Sequence, residues 1–264
     1  MHEGVDLPGL RGLWRRSLFA WPDGRRDTTT RVHWLQAERA CIDLRQPAEL
    51  PDFQRARNRS ELSIEQCAGL AAQQGFAGQL SFDGSYFEWT RSIDYQPTTT
   101  PDAGSLSWQG DTLVESGRDI AYIEHWQRDA TAPTEPCAAL SLRAADENIA
   151  AALLRVGRVF MFARDRAVEL GRHPTLAACV AGASTLRQAQ EFVDCEISFG
   201  EVQRAGFHIT ASTLPYRIGD VLRPQFDADC LMIMDRAADG APRRRPWDIT
   251  DSEGELETLI KIWT

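Results

Sequence analysis

Lysine is almost missing from this chain: Lys261 is the only one, so arginine carries nearly all of the positive charge. A planar guanidinium forks onto carboxylates, so this bias suits ion pairs in or near a core. Basic excess is missing as well. Against 38 acidic residues stand 29 basic ones, a net charge of −9. General binding to nucleic acid needs a basic face, and none is expected here. The six cysteines, Cys41, Cys67, Cys137, Cys179, Cys195 and Cys230, contain no C-x-x-C spacing, and none pairs locally with a histidine. That spacing excludes the usual zinc frameworks, and no metal or cofactor is expected. No apolar run approaches the roughly 18 residues of a membrane span, so no membrane insertion is expected. The N-terminus is polar and lacks the apolar run of a signal peptide. These features together predict a cytoplasmic protein in a reducing compartment. Gly-x-Ser-x-Gly is absent, as is a glycine-rich loop ahead of a helix, so no nucleophile elbow or phosphate cradle is expected.

What is present is an aromatic-rich β pattern. With 264 residues and 43% hydrophobic side chains, the chain has the material for one large domain or two ordinary ones. From Ser85 to Arg128, short aromatic segments alternate with turn residues, the pattern of an antiparallel meander. Trp89, Trp108 and Trp126 fall in successive segments of it. Upstream, the segments beginning at Gly12, Thr28 and Ala40 read as strands with connections too short for parallel crossovers. A helix is predicted from Ser63, a residue placed to cap it with Gln66 three positions on, lying across or closing a barrel end. Asp83-Gly84 predicts a hairpin. About eight strands accumulate by Arg128, the number that closes a small barrel.

Residues 130–136 have the composition of a linker. Tryptophan usage changes there: six of the eight tryptophans precede residue 127. The expected domains are therefore 1–133 and 134–264. In the second half, segments around Leu140, Ile149 and Arg158 read as strands, with a single helix over 146–170 as the competing possibility. A short helix is predicted from Thr185, with strands again at 194–199, 206–212 and 230–235. Arg243-Arg244-Arg245 reads as a solvated loop, and Leu256 to Trp263 as a terminal strand.

Gly12-Leu13-Trp14 resembles the Gly-x-Trp that opens the first strand of calycins, the group of lipocalins, fatty-acid-binding proteins and streptavidin. A longer pattern resembles the Hri-one family of that group, whose founding member was named for interacting with a casein-kinase-type protein kinase. It comprises Ile42-Asp43-Leu44-Arg45, Phe76-Ala77-Gly78, Trp89 with Ile93-Asp94, and Asp102-x-Gly104. Leu113-Val114-Glu115-x-Gly117, Tyr122-x-Glu124-x-Trp126 and Val156-Gly157-Arg158 complete it. The resemblance covers most of residues 12–160 and is loose beyond them. It implies a mainly β protein of two calycin-like antiparallel β-barrels end to end, with a few short helices. It implies no catalytic activity.

Strand alternation puts Trp14 with Arg16, Trp34 with Gln36, Asp43 with Arg45, Trp89 with Arg91, and Tyr122, Glu124 and Trp126 together on single faces. If the indoles point inward, so do Arg16, Arg91 and Glu124. Trp14, Arg16, Trp34, Trp89, Arg91, Tyr122, Glu124 and Trp126 are thus the candidate ligand-binding residues. Indoles would stack on a planar molecule, and arginines would pair with an anionic one. The competing interpretations are a barrel filled by its own paired side chains, serving as a protein-interaction scaffold, and a calycin-type isomerase or lyase using cavity carboxylates. His33 and His125 each neighbour a tryptophan, so alternation sends them outward to the surface.

Overall fold

The computed structural model describes residues 4–51, 53, 56–130, 134–144, 147, 149–227 and 230–260. The chain is mainly β. Turn chemistry sets the strands of the first half. β1 (Gly12–Ala20) ends at the Pro22-Asp23-Gly24 turn, and the two-residue β2 (Arg26–Asp27) folds back on it. Then follow β3 (Arg31–Gln36), β4 (Ala40–Gln46), β5 (Gln74–Phe82), β6 (Phe87–Asp94), β7 (Asp102–Gln109), β8 (Thr112–Gly117) and β9 (Ile123–Arg128). From β3 onward each strand pairs antiparallel with the next, β3 pairs with β1, and β9 returns to pair with β1. Leaving the short β2 aside, eight strands close a barrel.

Between β4 and β5 lies α1 (Ile64–Leu70). The Ser63 side chain accepts from the Gln66 backbone N–H, and the Gln66 side chain accepts from the Ser63 backbone N–H, a reciprocal capping box. Replacing Ser63 with alanine is expected to cost about 1 kcal/mol. For a chain of this size that lowers Tm by about 2–4 °C in calorimetry. The predicted position of this helix is corrected: its buried Cys67 and Leu70 enter a core shared with the second half rather than covering a barrel end.

The second half forms its own sheet. β10 (Cys137–Ala144), β11 (Ile149–Val156) and β12 (Val159–Arg164) come first, then α2 (Leu176–Ala181) and α3 (Leu186–Phe192), each capped by a threonine, Thr175 and Thr185. β13 (Glu196–Gln203), β14 (Gly206–Ser212), β15 (Val221–Leu222), β16 (Gln225–Asp227), β17 (Cys230–Arg236) and β18 (Pro242–Glu253) follow, and α4 (Leu256–Ile260) comes last. Strands, not one helix, occupy 149–164, because Gly157 with its φ of 59° turns β11 into β12.

The order across this sheet is β15-β14-β13-β12-β11-β10-β18-β17-β16. It curls into a half-barrel, and among the described residues its edge strands β15 and β16 do not pair. Arg223-Pro224 joins those edges, and proline brings no N–H to a ladder.

Three apolar clusters follow from strand alternation. One fills the closed barrel around Trp14, Trp34, Trp89 and Trp126. Another fills the curl around Phe160, Phe162, Phe207 and Trp247. The third joins the two sheets: Leu35, Ile42, Leu44 and Ala77 of the barrel meet Leu154, Met161, Ala163 and Ile197 of the second sheet, with all three inter-strand helices packed alongside. Two local expectations are corrected. Arg243–Arg245 lie within β18 rather than in a loop, because Asp235 and Glu147 pair with Arg245 and bury it. Leu256–Ile260 is a helix rather than a strand, with Leu259 packed into the half-barrel core; 261–264 lie outside the described residues.

Candidate functional site

The closed barrel has an apolar half and a polar half. In the apolar half four of the candidate residues meet. Trp14 stacks on Trp34 with ring centroids 5.6 Å apart. Trp34 meets Trp89 and Trp126 edge to face, at 5.8 and 5.2 Å. Three of the four indole N–H groups are occupied internally. Trp14 Nε1 donates to the Leu10 carbonyl at 2.7 Å, Trp34 Nε1 to Gln36 Oε1 at 3.1 Å, and Trp126 Nε1 to Glu115 Oε2 at 3.0 Å. Gln36 is fixed in turn, since its amide donates to the carbonyls of Ala37, Arg39 and Ala40. Trp14, Trp34 and Trp126 therefore spend both their faces and their polar edges on the protein.

Arg16, Arg91, Tyr122 and Glu124 stand in the polar half. Glu124 accepts from Arg16 Nη1 at 2.6 Å and from Arg45 Nη1 at 3.5 Å. Arg16 also reaches Asp27, and Arg45 Nε donates to Asp43 at 2.8 Å. Arg91 bridges Asp94 at 2.8 Å and Asp102, with its guanidinium over the Phe76 ring. The Arg91–Asp94 contact depends on a β-bulge. Between Ala77 and Gly78 the register with β6 shifts, so Ser92 is the extra residue and Arg91 and Asp94 both face inward. Gly78 suits the bulge because a Cβ there would lie 1.8 Å from the Thr90 carbonyl oxygen.

Glu115 is the exception in this network. It is 3% exposed, and among the described residues no arginine forms an ion pair with it. Its Oε1 shares a 2.6 Å hydrogen bond with the Tyr122 hydroxyl, which lies 3.4 Å from Asp102 Oδ1. Tyr122 is itself stacked on Phe19. Burial, reinforced by Glu124 and Asp102, pushes the Glu115 carboxyl well above its ordinary range. Burial also raises the carboxyls of Asp43, Asp94 and Glu124, while their arginine neighbours pull the other way. Glu115, its carboxyl raised by burial, thus stands at the base of a chain running through Tyr122 and Asp102 to Arg91.

The polar half keeps open space. A cavity of about 210 Å³ is lined by Arg45, Phe76, Arg91, Asp94, Gln96 and Thr98, together with Gln74 and Gly75. Of the candidate residues only Arg91 lines it. The four tryptophans, Arg16, Tyr122 and Glu124 do not. Arg45, Asp43 and Asp102 were missed as site residues. The shared face of Asp43 and Arg45 was legible from alternation, but which residues border free space was not. The cavity's polar groups are mostly spent: Asp94 accepts from Arg91 and the Gln96 N–H, and the Gln96 amide donates to the carbonyls of Ala71 and Gln73. Arg45 uses Nε and Nη1, and its Nη2 has no partner among the described residues. No group of three or more His, Cys, Asp or Glu side chains among the described residues is arranged to hold a metal ion.

His33 is corrected. It does leave the barrel interior, but the second sheet covers it there. It is 4% exposed and lies against Phe199, ring centroids 4.2 Å apart. Burial, with Arg15 and Arg31 nearby, pushes its pKa down to about 3, so it stays neutral.

Fold and site together define a β-barrel protein with an internally paired arginine–carboxylate mouth. No family model matches the sequence, and no curated protein matches it. In structure it is similar to an uncharacterized protein of Saccharomyces cerevisiae, YLR301w, with a TM-score of 0.52 and 12% identity. The match covers 92% of this chain and 98% of the yeast chain, and at that identity it speaks for the fold. None of the described helices is long and apolar enough to cross a membrane.

Proposed function

We propose that this is a non-catalytic binding protein that takes a small planar or anionic molecule at the polar mouth of its closed barrel. The observation that carries this is the cavity of about 210 Å³ at that mouth, which keeps the Arg45 Nη2 donor uncommitted. A carboxylate or carbonyl oxygen is the partner such a donor takes. Phe76 and the Arg91 guanidinium above it give the cavity a planar wall. The indoles serve as core and not as stacking partners of the ligand. The eight-strand meander opening on Gly12-Leu13-Trp14 supports a calycin-like assignment, and with it the resemblance to the Hri-one family. Six free cysteines support a reducing, cytoplasmic setting.

The test is native mass spectrometry of freshly purified protein against the same sample denatured. A mass released on denaturation identifies the ligand. Arg45→Ala is then expected to weaken its binding about ten- to a hundredfold, the worth of one charge-assisted hydrogen bond. An unchanged affinity in that variant removes the mouth as the site. The filled apolar half supports a second reading, a scaffold whose partner is another protein. A clean apo mass, with no small molecule binding in the mouth, favours that reading.

A further inference from the structure

The curled sheet has a polar end of its own, distinct from the barrel mouth. Arg164 at the end of β12, Glu196 at the start of β13 and Arg217 in the turn after β14 converge there, at 6%, 0% and 3% exposure. Their hydrogen bonds can be followed atom by atom. Arg217 Nε donates to Glu196 Oε1 at 3.0 Å, and Nη1 to Asp220 at 2.8 Å. Ser198 donates to the same Glu196 Oε1 at 2.8 Å. Arg164 Nη2 donates to Asp194 Oδ1 at 2.9 Å, and Nη1 to the carbonyls of Asp165 and Asp194. Three buried atoms remain with no hydrogen-bond partner among the described residues: Arg217 Nη2, Arg164 Nε and Glu196 Oε2. Asp235 Oδ2 lies 3.6 Å from Arg164 Nε, an ion-pair distance but too long for a hydrogen bond.

These three side chains, with the charged Arg59, Asp194, Asp235 and Arg236 and the ring of Tyr216, line a cavity of about 20 Å³. One water needs roughly 10–15 Å³ by this measure. We propose that the cavity is a binding site for a single water, which donates to Glu196 Oε2 and accepts from the Arg217 and Arg164 guanidinium groups. The chemistry selects a neutral ligand that both donates and accepts. A halide would satisfy the two donors but face the carboxylates of Glu196, Asp194 and Asp235, and a cation would face the four arginines of the lining, Arg59, Arg164, Arg217 and Arg236. The volume excludes a larger molecule. Leaving buried charged groups unpaired is costly, so the water is retained as part of the structure. It ties β12 and β13 to the 215–217 turn, beside the seam where β15 and β16 do not pair. Arg236 of β17 reaches Asp220 across that seam, so the water completes a polar latch where the backbone ladder stops.

The test is a crystal structure showing ordered solvent, together with a bromide soak read by anomalous scattering. In the wild-type protein the expected result is one solvent peak about 2.7–3.2 Å from Glu196 Oε2 and from a guanidinium nitrogen, with no bromide signal. In Glu196→Met, which removes the acceptor and its charge, the same two donors are expected to take bromide. Glu196→Gln keeps an acceptor oxygen and is expected to keep the water, which gives a readout should the methionine variant fail to fold. Bromide in the wild-type cavity would identify an anion site and overturn the proposal. So would wild-type density with no solvent peak there. Neither outcome touches the assignment of the barrel mouth.

Discussion

Trp34→Ala is expected to destabilise the protein by about 3–5 kcal/mol, the usual cost of removing a buried tryptophan. The effect falls at the high end of point substitutions because Trp34 touches three other indoles at once. It is 2% exposed, so nothing but a cavity replaces its ring. The variant also leaves Gln36 Oε1 without its donor, while the Gln36 amide stays held by three carbonyls and cannot turn away. Chemical denaturation at fixed pH measures the loss. A cost under 1 kcal/mol would mean that the other indoles collapse into the space and that the apolar half is not close-packed.

Glu115→Gln is expected to stabilise the protein increasingly as pH rises, by at most about 1.4 kcal/mol per pH unit relative to wild type. The sign follows from the raised carboxyl. In the unfolded chain a glutamate ionises near its ordinary value of 4.5; in the folded barrel it keeps its proton to a higher pH. Its contribution is therefore complete below the ordinary value and is lost as pH rises through the folded one. Glutamine is already neutral and removes that dependence. It also fits the hydrogen bonds of the neutral acid. Its NH₂ can donate to the Tyr122 oxygen, with the Tyr122 hydroxyl turned toward Asp102, and its carbonyl can accept from Trp126. Asp235 and Glu147 have lowered values and act oppositely, losing their contribution as pH falls. Stability measured from pH 4 to 9 in both proteins separates the effects. A difference between them that does not change with pH would show that Glu115 is ionised in the folded state.

Much of the barrel interior was legible in advance because a strand has a period of two. Trp14 with Arg16, Trp89 with Arg91, and Glu124 with Trp126 share the interior as alternation requires. The capping box at Ser63 and Gln66 was legible for the same kind of reason, since its partners are three residues apart. Alternation failed where the ladder slips. Asp94 joins Arg91 only because Ser92 is an extra residue in the bulge, and nothing local to β6 announces it. It failed again for Arg245, whose run of three arginines looks like a solvated loop until Asp235 and Glu147 approach from elsewhere in the chain.

By itself, then, the sequence determined most of the local terms: most strand and turn positions, the starts of α1 and α3, and which neighbours share a face. These depend on residues a few positions apart, and their physical signals lie side by side in the chain. Tertiary structure alone decided what each face meets. It covered His33 with Phe199 across the inter-sheet core, filled the indole half while leaving space beside Arg45, and buried Glu115 near the carboxyls of Glu124 and Asp102, whose effect outweighs that of Arg45. Burial, and the charge state that follows from it, is set by atoms brought together from distant segments, and no local pattern encodes those distances.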